Sequence, residues 1–232
     1  MPTIQIAATD GAGSFDALLV EPKRKPAGVV LLIQEIFGVN DAMRATAAEV
    51  ADMGFFALCP DLFWRQERNV DITDKSEAEW KRAFALMNGF DQAKGVEDLK
   101  ATLAAARTLP GANGRAGTMG YCLGGRLAVM MAEDSDADVN VSYYGVGLDG
   151  LIDGLGRVTR PLVVHIADQD EFFPPEGRAK AIAAMKGHPH IRTYVYPGAN
   201  HAFARVGGVH WDARSAVIAN GRSAEALVAA LG

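Results

Sequence analysis

The sequence predicts an α/β fold in which a mostly parallel central sheet carries helices on both faces. Apolar runs of strand length alternate along the chain with stretches of helical length, the order that produces a parallel sheet. Several runs, such as residues 28–33 (GVVLLI), are continuously apolar and rich in β-branched residues, as expected of strands buried on both faces. A glycine-flanked corner at residues 120–124 between a strand and a helix points the same way.

Local signals define the individual elements. Asn40 or Asp41 is a suitable N-cap for a helix that stops at Gly54, and Pro60 ends the strand that follows it. Residues 61–75 are polar and irregular with scattered aromatics, which indicates a long connection. We predict strands over residues 15–20, 28–33, 55–59, 115–119, 139–144, 161–167 and 191–196, and helices over residues 40–53, 77–87, 96–109, 126–132, 176–185 and 215–231.

The composition is that of a soluble globular protein. The 232 residues are 49% hydrophobic and 22% charged, and the net charge of −5 argues against nucleic acid or an anionic membrane as a partner. Residues 1–232 contain no repeat or linker and no apolar run near the roughly 18 residues that span a bilayer, so we expect one domain. Two cysteines and a start without signal-peptide features favour the cytoplasm.

The corner Gly120-Tyr-Cys-Leu-Gly124 is the most informative stretch of the chain. A Gly-x-nucleophile-x-Gly pentapeptide between a strand and a helix is the nucleophile elbow of the α/β-hydrolase fold. The glycines permit a backbone turn that leaves no room for a Cβ atom. The nucleophile position holds Cys122 rather than serine, which narrows the chemistry from esterases in general to a small group with a thiol nucleophile.

Candidate partners of the thiol follow the next buried strands. An activated thiol needs a base, and the base needs an acid to orient it. In an open α/β sheet such groups come after the carboxyl ends of strands. Asp168 and Asp170 follow one predicted strand and His201 follows the next, so the order is nucleophile, acid, histidine, as in α/β-hydrolases. We assign Cys122, His201 and Asp170 as catalytic, and prefer Asp170 because Asp168 directly follows its strand and can simply cap the turn.

The remaining cysteine and histidines have structural interpretations. Cys59 ends a strand and is expected to be a small apolar core residue. His165 lies inside an apolar strand and is expected to be a core histidine, whereas His188 and His190 flank a proline at the surface. His210 precedes the last helix, where it either caps or packs. No cluster has metal-ligand spacing, so we expect no metal site.

A second carboxylate follows the first long buried strand. Glu35 comes directly after an apolar run, where a carboxylate needs a partner. It is either a structural residue held by hydrogen bonds or a group beside the thiol, and we favour the second because this loop and the elbow belong to the same edge of the sheet. The oxyanion hole of this fold uses the amide after the nucleophile and one from this early loop, which are the N–H groups of Leu123 and Ile36.

Together these motifs resemble the dienelactone hydrolase (carboxymethylenebutenolidase) family. The resemblance implies hydrolysis of a cyclic enol lactone to maleylacetate by a triad that falls on Cys122, His201 and Asp170, with Glu35 engaging the thiol. It also implies a small anionic lactone or ester as substrate, no cofactor, and a monomer. The matching stretches are residues 34–40 (QEIFGVN), 59–62 (CPDL), 120–125 (GYCLGG), 143–147 (YYGVG) and 201–205 (HAFAR).

The substrate-binding residues match the family only in part. The family holds the substrate carboxylate with two arginines, and Arg205 corresponds to one of them. In a gapless count the position of the other falls on Trp80, beside Lys81 and Arg82, which are its candidate replacements. We assign Arg205, Arg82, Trp80 and Phe37 to substrate binding.

The leading functional prediction is a cysteine-dependent hydrolase that opens a small carboxylated enol lactone through a thioester acyl-enzyme. A thiolate is a soft nucleophile, and an enol lactone releases a stabilised enolate, so the leaving group needs little further activation. The alternatives are a carboxylesterase or thioesterase for another small acyl substrate, and a non-catalytic scaffold that binds a ligand in the same cleft. The complete triad argues against the scaffold.

Overall fold

A computed structural model describes residues 2–232 and contains an eight-stranded sheet in the order β1-β2-β4-β3-β5-β6-β7-β8. The pairs β1–β2 and β2–β4 are antiparallel, whereas β3–β4, β5–β6, β6–β7 and β7–β8 are parallel, which confirms the predicted fold class. The strands are β1 (Thr3–Ala7), β2 (Ser14–Val20), β3 (Ala27–Ile33), β4 (Phe56–Pro60), β5 (Ala112–Tyr121), β6 (Asn140–Tyr143), β7 (Leu162–Ala167) and β8 (Ile191–Tyr196). The helices are α1 (Asp41–Asp52), α2 (Glu77–Gly89), α3 (Gln92–Arg107), α4 (Leu123–Asp134), α5 (Pro175–Met185) and α6 (Ala213–Leu231).

The first of two compact units comprises residues 2–117 with Leu231. In this unit β3 is buried along its whole length, and α1 and α3 both pack against it. Helix α1 begins where predicted, because the Asn40 side chain accepts the Met43 N–H at 3.2 Å. Helix α2 is N-capped by Ser76, which accepts the Glu79 N–H and donates its hydroxyl to the Glu79 carboxylate.

The second compact unit comprises residues 118–230 with Gly232. Its apolar core joins α4, the helix that starts directly after Cys122, to β7, the strand that precedes Asp170. Burial of each large aliphatic side chain contributes roughly 1.5–3 kcal/mol, so this cluster holds the two elements in one arrangement. Its members are Val129, Ala132, Leu148, Leu155, Val158, Leu162, Val164, Ile166, Phe173, Ala181, Met185 and Ile191.

Two elements escaped the sequence prediction. β1 is an edge strand of five residues, of which only Ile6 is buried, so its sequence carries little apolar signal. A 3₁₀ segment over Leu148–Arg157 was not expected, because its three glycines are typical of a loop. Both elements therefore depend on tertiary contacts rather than on a strong local pattern.

Two helices begin three or more residues earlier than predicted. Helix α3 begins at Gln92 rather than at Val96. The prediction placed the start too late because Gly95, a poor helix former, lies in the first turn. A Cβ atom at Gly95 would lie 2.3 Å from the Phe90 ring, so packing explains the glycine. Helix α4 begins at Leu123 rather than three residues later, directly after the nucleophile position.

A buried polar network joins α6 to β6, β7 and β8 within the second unit. His165 is fully buried, which confirms the expected core histidine; its Nδ1 lies 2.8 Å from the Tyr196 hydroxyl and its Nε2 lies 2.9 Å from Ser223 Oγ. Ser223 Oγ is also 2.7 Å from the Tyr143 hydroxyl, which donates to Asn220 Oδ1 at 2.9 Å. Each polar atom named here has a partner, so the network orders the strand ends without the cost of unpaired groups.

Titration of His165 is expected to make the folded state acid-sensitive. Burial, with the nearby charge of Arg222, lowers the pKa of His165 from 6.5 to about 3. Because the unfolded chain binds this proton more readily, the stabilisation is complete above pH 6.5 and is lost as the pH falls toward 3, by up to about 1.4 kcal/mol per pH unit. We expect urea unfolding to show this decline, and His165→Gln to flatten it. Identical pH slopes in the two proteins would assign the decline to other groups.

Candidate active site

Cys122 occupies a strained corner between β5 and α4. Its φ of 56° and ψ of −115° lie outside the regions that residues with a side chain favour. Such a conformation costs roughly 1–3 kcal/mol and persists only where its surroundings enforce it. Here the Cys122 N–H donates to the Tyr143 carbonyl at 3.1 Å, and the Cys122 carbonyl accepts the Arg126 N–H at 3.1 Å.

Glycines make this corner sterically attainable. A Cβ atom on Gly120 would lie 2.0 Å from the Gly124 carbonyl oxygen, and one on Gly125 would lie 2.5 Å from the Tyr143 carbonyl oxygen. Both obstacles are backbone atoms, which cannot rotate away as a flexible side chain would. The glycine pattern at residues 120–125 is therefore a direct requirement of the turn that presents Cys122.

His201 and Asp170 form a buried pair beside the thiol. His201 Nδ1 lies 2.9 Å from Asp170 Oδ2 and 3.0 Å from Oδ1, and the two side chains are only 7% and 2% exposed. The Cys122 side chain is a second hydrogen-bonding partner of the imidazole. The structure thus brings together the nucleophile, base and acid candidates that the sequence placed on three separate loops.

The two partners decide the charge of the imidazole. Burial lowers the pKa of His201, but the charge of Cys122 and the hydrogen bond to Asp170 outweigh it and raise the pKa to about 10. The shift therefore stabilises the protonated imidazole beside a negatively charged Cys122 sulfur and the Asp170 carboxylate. A histidine in this state can deliver a proton to a leaving group and, once neutral, can accept one from water.

Of the two candidate acids, Asp170 contacts His201. Asp168 instead accepts hydrogen bonds from the Gln169 side chain at 2.9 Å and from the Gly198 N–H at 3.4 Å, which lower its pKa. It lies at the surface end of the loop, where a carboxylate caps the turn.

Arg178 of α5 holds the loop that carries Asp170. Its guanidinium donates to the Asp170 carbonyl at 2.9 Å, to the Asp168 carbonyl at 2.6 Å and to the Phe173 carbonyl. The Phe172 N–H donates to Asp170 Oδ1 at 2.9 Å, so this carboxylate oxygen is fixed from its own loop as well. Arg178 was not among the predicted site residues, because an arginine that binds main-chain carbonyls leaves no sequence motif.

Two aromatic rings, which the sequence analysis also missed, stand edge-on to the His201 ring. The ring centroid of Tyr144 lies 5.2 Å from that of His201, and the centroid of Phe172 lies 4.9 Å from it. Tyr144 is buried, whereas Phe172 is 39% exposed. Tyr144 belongs to the 143–147 stretch that carried the family resemblance, which was the available signal, while Phe172 had only its nearness to Asp170.

The loop after β3 in the first unit carries Glu35 and Ile36, both of which are buried. The side chain of Gln34, the residue before Glu35, accepts the Leu62 N–H at 3.3 Å. Gly38 has a φ of 78°, and a Cβ atom there would lie 1.8 Å from the Val70 carbonyl oxygen, so only glycine permits this path. The roles of Glu35 and Ile36 in catalysis stay predictions.

Trp80 of α2 belongs to an aromatic cluster in the first unit. Its ring is nearly perpendicular to that of Phe37, with centroids 5.1 Å apart, and it stacks on Phe84 at 5.4 Å. The indole N–H donates to the Asp74 carbonyl at 3.0 Å, which fixes the orientation of the ring. The position that holds an arginine in the resembled family is thus part of an apolar surface.

The cationic candidates for substrate binding are placed differently from one another. Arg82 forms an ion pair with Glu67, and both side chains are nearly half-exposed. Lys81 is exposed. Arg205 is half-buried in the second unit, four residues after His201. Its main-chain N–H donates to the Ala202 carbonyl at 2.9 Å. Of the three candidate cations, Arg205 is the one that shares a loop with His201.

Across residues 2–232, no group of three or more His, Cys, Asp or Glu side chains is arranged to hold a metal ion. Over the same residues, no helix has the length and apolar character needed to cross a membrane.

Comparison with known proteins places these features in one family. The chain matches the model of the dienelactone hydrolase family over residues 15–230. It is 50% identical over 226 residues to an Azospirillum brasilense protein provisionally named carboxymethylenebutenolidase, covering 97% of this chain and 96% of the relative. It is 38% identical over 224 residues to the carboxymethylenebutenolidase of Pseudomonas putida, covering 97% and 94% of the two chains.

A solved structure supports the fold independently. A crystal structure from Klebsiella pneumoniae, provisionally described as a dienelactone hydrolase, matches with a TM-score of 0.83 at 22% identity and covers 98% of both chains. The sequence matches span the strained corner and the buried pair alike, and the chain therefore belongs to the dienelactone hydrolase family.

Proposed function

We propose that the protein hydrolyses a small carboxylated enol lactone, of the dienelactone to maleylacetate type, through a thioester on Cys122. The observation that carries the proposal is the strained Cys122 hydrogen-bonded to His201, whose Nδ1 lies 2.9 Å from Asp170. Membership of the family supports the substrate class, since the Pseudomonas putida relative is named for the reaction.

In the acylation step the Cys122 thiolate attacks the lactone carbonyl carbon. A carbon–sulfur bond forms, the ring carbon–oxygen bond breaks, and the departing enolate takes a proton from the His201 imidazolium. The Leu123 N–H lies in the first turn of α4, where amides have no intrahelical acceptor, and is the proposed donor to the oxyanion. The Ile36 N–H is the proposed second donor, by the pattern of the fold.

In the deacylation step neutral His201 takes a proton from water. The resulting hydroxide attacks the thioester carbonyl and the carbon–sulfur bond breaks, which re-forms the Cys122 thiolate beside the His201 imidazolium. The new carboxylic acid loses its remaining proton to solvent and leaves as the carboxylate. Asp170 holds the imidazole in one orientation and stabilises its charged form in both steps. No cofactor enters either step.

Glu35 is proposed to engage the thiol before substrate binds, as the family resemblance implies. Binding of an anionic substrate would then favour the thiolate form of Cys122. A thiol kept neutral at rest oxidises more slowly than a thiolate. We also propose that the enzyme works in the cytoplasm and that it is a monomer.

Substrate selection is proposed to depend on one cation, Arg205, and on an aromatic surface. Arg205 is the proposed partner of the substrate carboxylate, and the rings of Phe37 and Trp80 suit a planar conjugated lactone. Arg82 is the weaker candidate, because it would have to leave Glu67 to bind substrate.

Arg205→Ala is expected to separate carboxylated from neutral substrates. Loss of a charge-assisted contact should raise KM for dienelactone by roughly 10-fold or more, because hydrogen bonds to charged groups are worth about 1.5–3 kcal/mol. KM for the neutral ester p-nitrophenyl acetate should change little. Steady-state kinetics on both substrates checks this, and the same measurement on Arg82→Ala tests the weaker candidate. Equal losses on the two substrates would contradict a carboxylate-binding role.

Turnover of cis- and trans-dienelactone at neutral pH, with p-nitrophenyl acetate alongside, tests the proposal. Fast lactone opening with trapping of a Cys122 thioester in acid-quenched enzyme is the expected result. Ester cleavage through Cys122 with slow lactone opening would instead support the alternative of a carboxylesterase for another small acyl group. Failure to turn over any activated ester would contradict both the lactone hydrolase and the carboxylesterase proposals.

A further inference from the structure

We propose that Asn200 is a positioning residue for the catalytic base, fastening the loop that carries His201 to the loop that carries Asp170. Asn200 Oδ1 accepts the His201 N–H at 2.7 Å and the Glu171 N–H at 3.1 Å. Each of those N–H groups belongs either to the base or to the residue next to the acid. The inference rests on the proposed triad of Cys122, His201 and Asp170.

The two loops have unequal support of their own. The acid loop is held by Arg178, which donates to three of its carbonyls, as described above. The base loop is joined to it ahead of the histidine by the hydrogen bond from the Gln169 N–H to the Ala199 carbonyl at 2.8 Å. At the main chain of His201 the connection is made by the Asn200 side chain. Asn200 therefore links the main chain of His201 to the loop that carries Asp170, which Arg178 already holds in place.

The backbone around the base needs such support. Ala202 has a φ of 61°, a left-handed conformation that residues other than glycine rarely adopt. His201 is held between this residue and Asn200, and a strained turn keeps its shape only when neighbouring contacts enforce it. The short hydrogen bond to the His201 N–H is one of those contacts.

His210 holds the other end of the Asn200 side chain. Asn200 Nδ2 lies 3.4 Å from His210 Nε2, and His210 Nδ1 lies 3.4 Å from Glu171 Oε1. Because Asn200 Oδ1 already accepts two N–H groups, its amide nitrogen must donate, so His210 Nε2 accepts and Nδ1–H faces the carboxylate. Asn200, His210 and Glu171 close a ring of contacts across the two loops, which gives His210 a role beyond capping or packing.

The consequence is a requirement on catalysis rather than on binding. His201 has to give a proton to the leaving group and take one from water at nearly the same place. Displacement of a catalytic group by about 1 Å can lower a rate on the order of 100-fold. Loss of Asn200 should therefore lower kcat and leave KM nearly unchanged.

Three variants test this. Asn200→Ala removes the shared acceptor, and Asn200→Asp retains an oxygen acceptor. His210→Ala removes only the contacts that His210 makes with Asn200 and Glu171. We expect kcat for dienelactone to fall roughly 10- to 100-fold in Asn200→Ala, to be largely restored in Asn200→Asp, and to fall about 2- to 10-fold in His210→Ala. KM should stay within about twofold, because binding groups are untouched. The pH profile of Cys122 alkylation by iodoacetamide should shift in Asn200→Ala, since it reports the thiol and imidazole as a pair.

Wild-type kcat in Asn200→Ala, or equal loss in Asn200→Ala and Asn200→Asp, would overturn the inference. So would a lower melting temperature with unchanged alkylation and kcat, which indicates a structural role only. Should Asn200→Ala fail to fold, His210→Ala with wild-type kcat would overturn it. Cys122→Ala is measured in parallel: if that variant kept its turnover, the triad itself would be wrong, whereas Cys122-dependent turnover that is indifferent to Asn200 refutes only the positioning role.

Discussion

Replacement of Cys122 by alanine is expected to lower kcat/KM for dienelactone by about 10⁴-fold or more, the size seen when a triad nucleophile is removed. Without the sulfur atom no thioester can form, and only transition-state contacts such as the Leu123 N–H remain. The loss should appear in initial rates of lactone opening, followed by ultraviolet absorbance. Folding should be unaffected, because alanine keeps the Cβ atom that the corner between Gly120 and Gly124 already accommodates.

Cys59→Ala is the matched control for the thiol. Cys59 is fully buried in β4, and burial, with the charge of Asp61, raises its pKa to about 12, so it holds no reactive thiolate at neutral pH. We expect its kcat/KM to stay within about twofold of wild type, with a loss of stability of about 1 kcal/mol from the small cavity. Comparable activity in the Cys122 and Cys59 variants would rule out the thioester pathway.

Asp170→Asn is expected to lower kcat by about 10⁴-fold, because an amide no longer selects the catalytic orientation and tautomer of His201. The same change removes a negative charge at 2.9 Å from His201 Nδ1 and so should lower the pKa of His201 from about 10. Imidazole NMR titration of the wild type and the variant, together with steady-state kinetics, measures both effects.

Asp168→Asn provides the control in the same loop. Asp168 hydrogen-bonds Gln169 and Gly198 at the end of its strand, so its substitution should change kcat by no more than about twofold. A large loss in Asp168→Asn with near wild-type activity in Asp170→Asn would reverse the assignment of the acid.

The corner at residues 120–125 was predictable because its steric requirements are local. Glycines at residues 120–125 are enforced by backbone atoms only a few residues away or on the adjacent strand, so the turn has a compact sequence pattern. The proposed base and acid could be placed for a topological reason, since both follow strands of a parallel sheet. The preference for Asp170 over Asp168 also agrees with the observed contact to His201.

The contacts that hold this site were not predictable from the sequence. Arg178 and Asn200 bind main-chain groups of other loops, and main-chain atoms are the same in every residue, so no side-chain pattern marks the partner. The ion pair of Arg82 with Glu67 joins a helix to an irregular connection whose path depends on the folded chain. These features depend on three-dimensional neighbours and became visible only in the structure.

The buried network around His165 has a consequence for biosynthesis. Ribosomes make a chain from its N-terminus, so the strand that holds His165 emerges long before Ser223 of the last helix. Until Ser223 arrives, the imidazole Nε2 lacks the partner that it has at 2.9 Å in the finished protein. A nascent chain therefore cannot seal this part of its interior until α6 has been synthesised and has packed against β7.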